Sequence, residues 1–85
     1  MIVGRSEQFK KNYKKLPQGI RERADKAILL LVTDAGHPSL HNKKMQRTEG
    51  IWEIRVTKND RITYEKITGG IFLRRVGTHD ILNQP

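Results

Sequence analysis

The spacing of apolar residues changes period once along this chain, from helical to alternating. Phe9, Tyr13 and Leu16 stand at i, i+4 and i+7, on one face of a helix, with Lys10, Lys11, Lys14 and Lys15 on its other sides. The pattern predicts a helix over about 6–15, opened by Ser6 as N-cap. Ile20, Ala24, Ala27, Ile28 and Leu31 continue the same period and predict a second helix over about 18–33. Leu16-Pro17-Gln18-Gly19 is too short a break for anything but an antiparallel helical hairpin. Gly36 and Pro38 end it.

From residue 51 onward the period is two. Strands are predicted over about 51–57, 61–67 and 71–77, joined by Lys58-Asn59-Asp60 and Thr68-Gly69-Gly70 as hairpin turns. Ile2-Val3 suits a short first strand, and 37–49 is polar and basic without a clear period. One domain over 1–85 is expected, of the α+β class. In it a short N-terminal strand and a helical hairpin pack on an antiparallel sheet with three C-terminal strands.

Alternation also predicts the facing. The helices need an apolar floor, which Trp52, Ile54, Val56, Ile62, Tyr64, Phe72 and Val76 are expected to supply. The opposite face then collects Glu53, Arg55, Arg61, Thr63, Glu65, Arg75 and, beyond the last strand, His79. Arg74 shares parity with Phe72 and is expected at a sheet margin.

Charge turns this pattern into a functional expectation. Seventeen Lys/Arg against nine Asp/Glu give +8 on an 85-residue chain. A field of that sign favours polyanions or an acidic protein. Cysteine is absent, which excludes a disulfide framework and thiolate metal sites. Ala27 to Val32 is the longest apolar run, far short of a membrane span. Charge at Arg5 leaves no signal-peptide apolar region, so a cytoplasmic location without membrane contact is expected.

Arginine's planar fork matches phosphate, so Arg61 and Arg55 are candidate phosphate clamps, supported by Arg75. Imidazole titrates near neutral pH, which makes His79 the candidate acid or base. His41, Glu53 or His37 is the candidate for a second one, although Glu53 equally suits a cross-strand ion pair with Arg61. His37 before Pro38 suits a turn. Lys43, Lys44 and Arg47 are candidate holders of RNA backbone. No metal or cofactor is expected, because Pro38 interrupts the His37/His41 spacing and no glycine-rich nucleotide loop is present.

Gly50-Ile51-Trp52-Glu53-Ile54-Arg55-Val56, Asp60-Arg61-Ile62-Thr63-Tyr64 and Leu73-Arg74-Arg75-Val76-Gly77-Thr78-His79-Asp80-Ile81-Leu82 resemble the closing strands of the RelE/ParE superfamily of toxins. The Gly-Thr-His run is similar to its YafQ-type ribonuclease branch. His37-Pro38-Ser39-Leu40 with Lys43-Lys44-Met45 resembles that family's basic loop. The resemblance implies a type II toxin that cleaves mRNA in the ribosomal A site without a metal. It implies a monomer when free and a larger complex with a cognate antitoxin. It places Arg61 at the scissile phosphate, His79 at the C-terminal catalytic position, Arg55 at a basic strand position, and His41 and Asn42 near the family's loop acid or histidine. A ParE-like gyrase inhibitor and a non-catalytic basic RNA-binding module are the alternatives. An inhibitor has no need of an imidazole beside a phosphate clamp.

Overall fold

A computed structural model describes all 85 residues. The chain runs β1 (Ile2–Arg5), α1 (Glu7–Lys15), α2 (Gln18–Thr33), a 3-10 turn (Pro38–Leu40), β2 (Lys43–Lys44), β3 (Ile51–Arg55), β4 (Asp60–Ile67), β5 (Gly70–Thr78) and a second 3-10 turn (His79–Asn83). Ser6 caps α1 as expected, its hydroxyl accepting the Phe9 amide at 2.9 Å. The same hydroxyl donates to the Arg74 carbonyl, which ties the helix start to β5.

The strands form one sheet in the order β1-β5-β4-β3-β2. Its three C-terminal strands are antiparallel, but β1 lies parallel to β5, so the sheet is mixed. Between β1 and β5 lie the helical hairpin and the other three strands, a connection long enough for a parallel partner, which a tight turn cannot supply. Ile2 sits opposite Gly70, where an added Cβ would meet the Ile2 carbonyl oxygen at 1.8 Å. Glycine at 70 is therefore what lets β1 dock. At the other edge Lys43 and Lys44 make a two-residue strand in the segment that shows no period. So short a strand has no room for a pattern, and lysines on a free edge oppose pairing with other chains.

The core joins Phe9, Ala24, Ala27 and Leu31 of the helices to Leu40, Ile54, Ile62, Tyr64, Ile71, Leu73 and Val76. One expectation about facing and one about depth need correction. Thr63 pairs with Arg75 but Tyr64 pairs with Leu73, so Arg74 is an extra, bulged residue in β5. The bulge reverses parity before it. Ile71 and Leu73 face the core, while Phe72 does not and is only half-buried. Arg74, freed from the ladder, bonds Glu65 at 2.7 Å and the Pro85 carbonyl at 3.2 Å. Trp52 faces Tyr64 as expected but is only half-buried, with the Lys66 ammonium 3.7 Å from its ring centre. It lies at the core's margin and not in its centre.

Tyr64 is the largest fully buried side chain. Its hydroxyl donates to Asn42 Oδ1 at 2.7 Å, and Asn42 in turn donates to the Ala35 carbonyl at 3.3 Å. Asn42 thus fastens the basic loop to the core. Burial raises the Tyr64 pKa. The unfolded chain therefore loses this proton at a lower pH than the folded one. The stability that Tyr64 contributes is present below the unfolded value of about 10 and is lost as pH rises through the folded value. Denaturant melts across that alkaline range should show a steep loss in the native protein and a shallower one in Tyr64→Phe.

Candidate functional site

The sheet face away from the helices is organised in cross-strand rows. Lys43, Glu53, Thr63 and Arg75 form one row, and Arg55, Arg61 and Gly77 the next. Alternation places these residues correctly, but it does not make the face open to solvent. Thr63 is 0% exposed, Arg61 7% and Glu53 8%. The C-terminal segment folds back over this side of the sheet. Thr63 Oγ1 donates to the Pro85 carbonyl at 3.0 Å. An added Cβ at Gly77 would stand 3.0 Å from Ile81 Cγ2, so the missing side chain leaves room for that segment.

Arg61 is the main correction. It is buried, where an exposed phosphate clamp was expected. Its Nη1 donates to the carbonyls of Thr57, Lys58 and Asp60 at 2.8, 3.1 and 3.0 Å. Two guanidinium groups directly opposite each other repel. Arg61 avoids Arg55 by turning into the β3–β4 connection, where three carbonyls converge. Thr57 Oγ1 donates to Asp60 Oδ2 at 2.6 Å and accepts the Asn59 and Asp60 amides, completing a rigid turn. Periodicity reports which face a residue is on and cannot report a loop that curls over it.

His79 is exposed at the start of the last 3-10 turn, immediately after the Asp60–Thr78 pair. It lines an open cleft with Lys58, Asn59, Thr78 and Asp80. Lys58 and Asn59 belong to the turn that Arg61 holds. The arginine and the histidine therefore act at the same end of the sheet, with Arg61 shaping the cleft wall. From the sequence, Lys58 and Asn59 read only as turn composition, and Asp80 only as part of the closing motif.

Arg55 is half-buried and lines a different cleft, between α2 and the start of the basic loop, beside Arg23, Lys26, Ser39 and Val56. Glu53 does not pair with Arg61. Its partner across the sheet is Lys43, with Nζ 3.9 Å from the carboxylate. Arg75 is half-buried and lines a small cleft with Arg74, Phe72, Ser6, Gln8 and Pro85.

His41, Lys43, Lys44 and Arg47 are all exposed in or beside the basic loop. His41 takes φ 47 and Arg47 φ 62, left-handed conformations that turn the chain there. His37 caps the first 3-10 turn, with its Nδ1 2.8 Å from the Ser39 hydroxyl, which fits its turn reading. The structure thus brings His79 beside Lys58, and Arg55 beside α2, and leaves His41 on the separate loop.

No protein-family model matches the chain, and none of the curated proteins matches it. Solved structures do. A chain of the RelB–RelE antitoxin–toxin complex of Methanococcus jannaschii matches with TM-score 0.76 and 25% identity, over 96% of both chains. YafQ of E. coli strain BL21(DE3) matches with TM-score 0.78 and 17% identity, over 95% of this chain and 96% of that one. The Staphylococcus aureus YoeB dimer matches with TM-score 0.79 and 13% identity, over 93% and 97%. Two helices on a five-stranded sheet, with these closing strands, define a small toxin-type α+β fold. The fold is the one seen in the RelE- and YafQ-type toxin structures.

Proposed function

We propose that this chain is the toxin of a type II toxin–antitoxin pair, and that it cleaves mRNA on the ribosome without a metal. The observation that carries the reading is the end-to-end match to a chain of a RelB–RelE complex at 25% identity. The +8 charge and the cleft that sets His79 beside Lys58 and Asp80 support it.

In the proposed reaction a base takes the proton from a ribose 2′-hydroxyl, and that oxygen attacks the adjacent phosphorus. The bond to the 5′-oxygen breaks, and an acid protonates that oxygen as it leaves. A 2′,3′-cyclic phosphate and a 5′-hydroxyl end result, so water is not consumed. The nucleophile is part of the substrate, and positioning therefore supplies much of the acceleration. His79 moves one of the two protons. Lys58, in the same cleft, offsets the charge that builds on the phosphate. Arg61 is a positioning residue, because its guanidinium is used on the turn carbonyls that hold Lys58 and Asn59. Glu53, beside Lys43 under the basic loop, is a candidate second proton carrier. Lys43, Lys44 and Arg47 carry RNA backbone along the exposed edge.

An acidic antitoxin is the second expected partner. The cleft over Phe9, Tyr13 and Ile28 has four cations, Arg5, Lys10, Lys11 and Lys14, against Glu7 and Asp25, an excess that suits an amphipathic acidic segment.

Induction in cells, followed by mapping of transcript 5′ ends, tests the reading. New 5′-hydroxyl ends within reading frames are expected from the native chain and none from His79→Ala. Gyrase-linked DNA breaks without new RNA ends would establish the inhibitor instead.

A further inference from the structure

Arg55 presents an unmet demand. Its Nε is buried and has no hydrogen-bond partner, so the Nη atoms, which are not buried in this way, are the ones open to a ligand in the cleft. A guanidinium cannot shed its charge to relieve this, and an unsatisfied buried donor is costly. The cleft that Arg55 lines is rich in further cations. Arg23 and Lys26, three apart on one face of α2, are at its edge, and Ser39 adds a hydroxyl. None of its eight lining residues is acidic. The ion pairs of the molecule are Lys10–Glu7, Lys43–Glu53 and Arg74–Glu65, so none of these three cations is neutralised. The floor is apolar, from Ala27, Leu30, Leu40 and Val56, which strengthens any ion pair made above it. The cleft is about 260 Å³. That lies below the roughly 300–1,000 Å³ of ordinary small-molecule pockets and suits one anionic group.

We propose that this cleft between α2 and β3 is a phosphate-binding site, with the Arg55 guanidinium at its centre and Arg23, Lys26 and Ser39 around it. Resting on the ribonuclease reading, the phosphate is one of the RNA backbone, away from the phosphate attacked at His79. Arg55 and Arg61 share a cross-strand row, and Arg61 holds the turn that walls the His79 cleft. The two clefts therefore flank one rigid element, and an RNA strand engaging both is fixed in register. Phosphate contacts of this kind position a chain without reading its sequence.

The test is NMR on the isotopically labelled full chain. It follows the Arg55 Nε–Hε signal, identified by its loss in Arg55→Lys, and the amides of Arg23, Lys26, Ser39, Lys58 and His79. Inorganic phosphate is titrated at constant ionic strength against chloride. A short oligodeoxynucleotide, uncleavable because it lacks the 2′-hydroxyl, is titrated separately. Phosphate should shift the Arg55 signal and the Arg23, Lys26 and Ser39 amides saturably. The oligonucleotide should shift these together with His79 and Lys58. Arg23→Gln/Lys26→Gln should weaken the phosphate response about tenfold, equivalent to about 1.4 kcal/mol. Both positions are exposed on α2 and glutamine is a good helix former, so the fold should persist, as a thermal melt will verify.

An Arg55 signal indifferent to phosphate and to the oligonucleotide overturns the proposal, as does a response unchanged in the double variant. Oligonucleotide shifts confined to His79 and Lys58 overturn the phosphate site while leaving the ribonuclease reading intact. Saturable phosphate binding with no response anywhere to the oligonucleotide keeps the site, makes a small phosphate compound its ligand, and counts against the RNA reading.

Discussion

Phe9→Ala is expected to destabilise the domain by about 3–5 kcal/mol, the usual cost of emptying an aromatic site in a closed core. Phe9 is 1% exposed, stacks on Tyr13 with ring centres 6.1 Å apart, and is the one buried residue of α1. A chain of this size has a total stability of roughly 4–13 kcal/mol. The variant should therefore be largely unfolded at 37 °C or melt well below the native protein. Trp52→Ala should cost clearly less, because Trp52 is half-buried and the exposed Lys66 ammonium lies over its ring. Parallel urea melts measure both. A Phe9→Ala midpoint equal to the native one would mean that α1 does not seal the core as described.

Arg61→Ala is expected to lose both stability and activity. Hydrogen bonds to a charged group are worth about 1.5–3 kcal/mol, and here one guanidinium nitrogen serves three carbonyls. At about 4–8 °C per kcal/mol for a domain of this size, the melting temperature should fall by at least about 6 °C. Arg61→Lys should recover part of the loss, since all three bonds come from one nitrogen and an ammonium also carries three donors, although on a shorter side chain. His79→Ala provides the contrast. Its side chain is exposed, and such substitutions usually change stability by less than about 0.5 kcal/mol. Melting curves beside transcript mapping separate the two roles. Native stability in Arg61→Ala would remove the turn-holding role and return Arg61 to the surface.

The helices and the three long strands were legible in the sequence because each is long enough to show its period. Phe9, Tyr13 and Leu16 outline α1, and Trp52 and Ile54 outline β3. The same periods placed Glu53, Arg55, Arg61 and Thr63 on one face of the sheet. The net charge pointed to an anionic partner for the same reason, since charge is additive and needs no fold.

Depth, by contrast, is not periodic. Whether a residue on the outer face meets water depends on what crosses it, and Pro85 is 22 residues from Thr63. The bulge at Arg74 is one unpaired residue, too local to alter composition, yet it exchanges Phe72 for Leu73 in the core. The parallel pairing of β1 depends on a missing Cβ at Gly70 meeting a backbone 68 residues earlier. The clefts arise in the same way. Arg55 meets Arg23 and Lys26, and His79 meets Lys58, only when separate elements close on each other. Local period and total charge belong to the chain, while burial and side-chain partnership belong to contacts between residues distant along it, which only the tertiary structure decides.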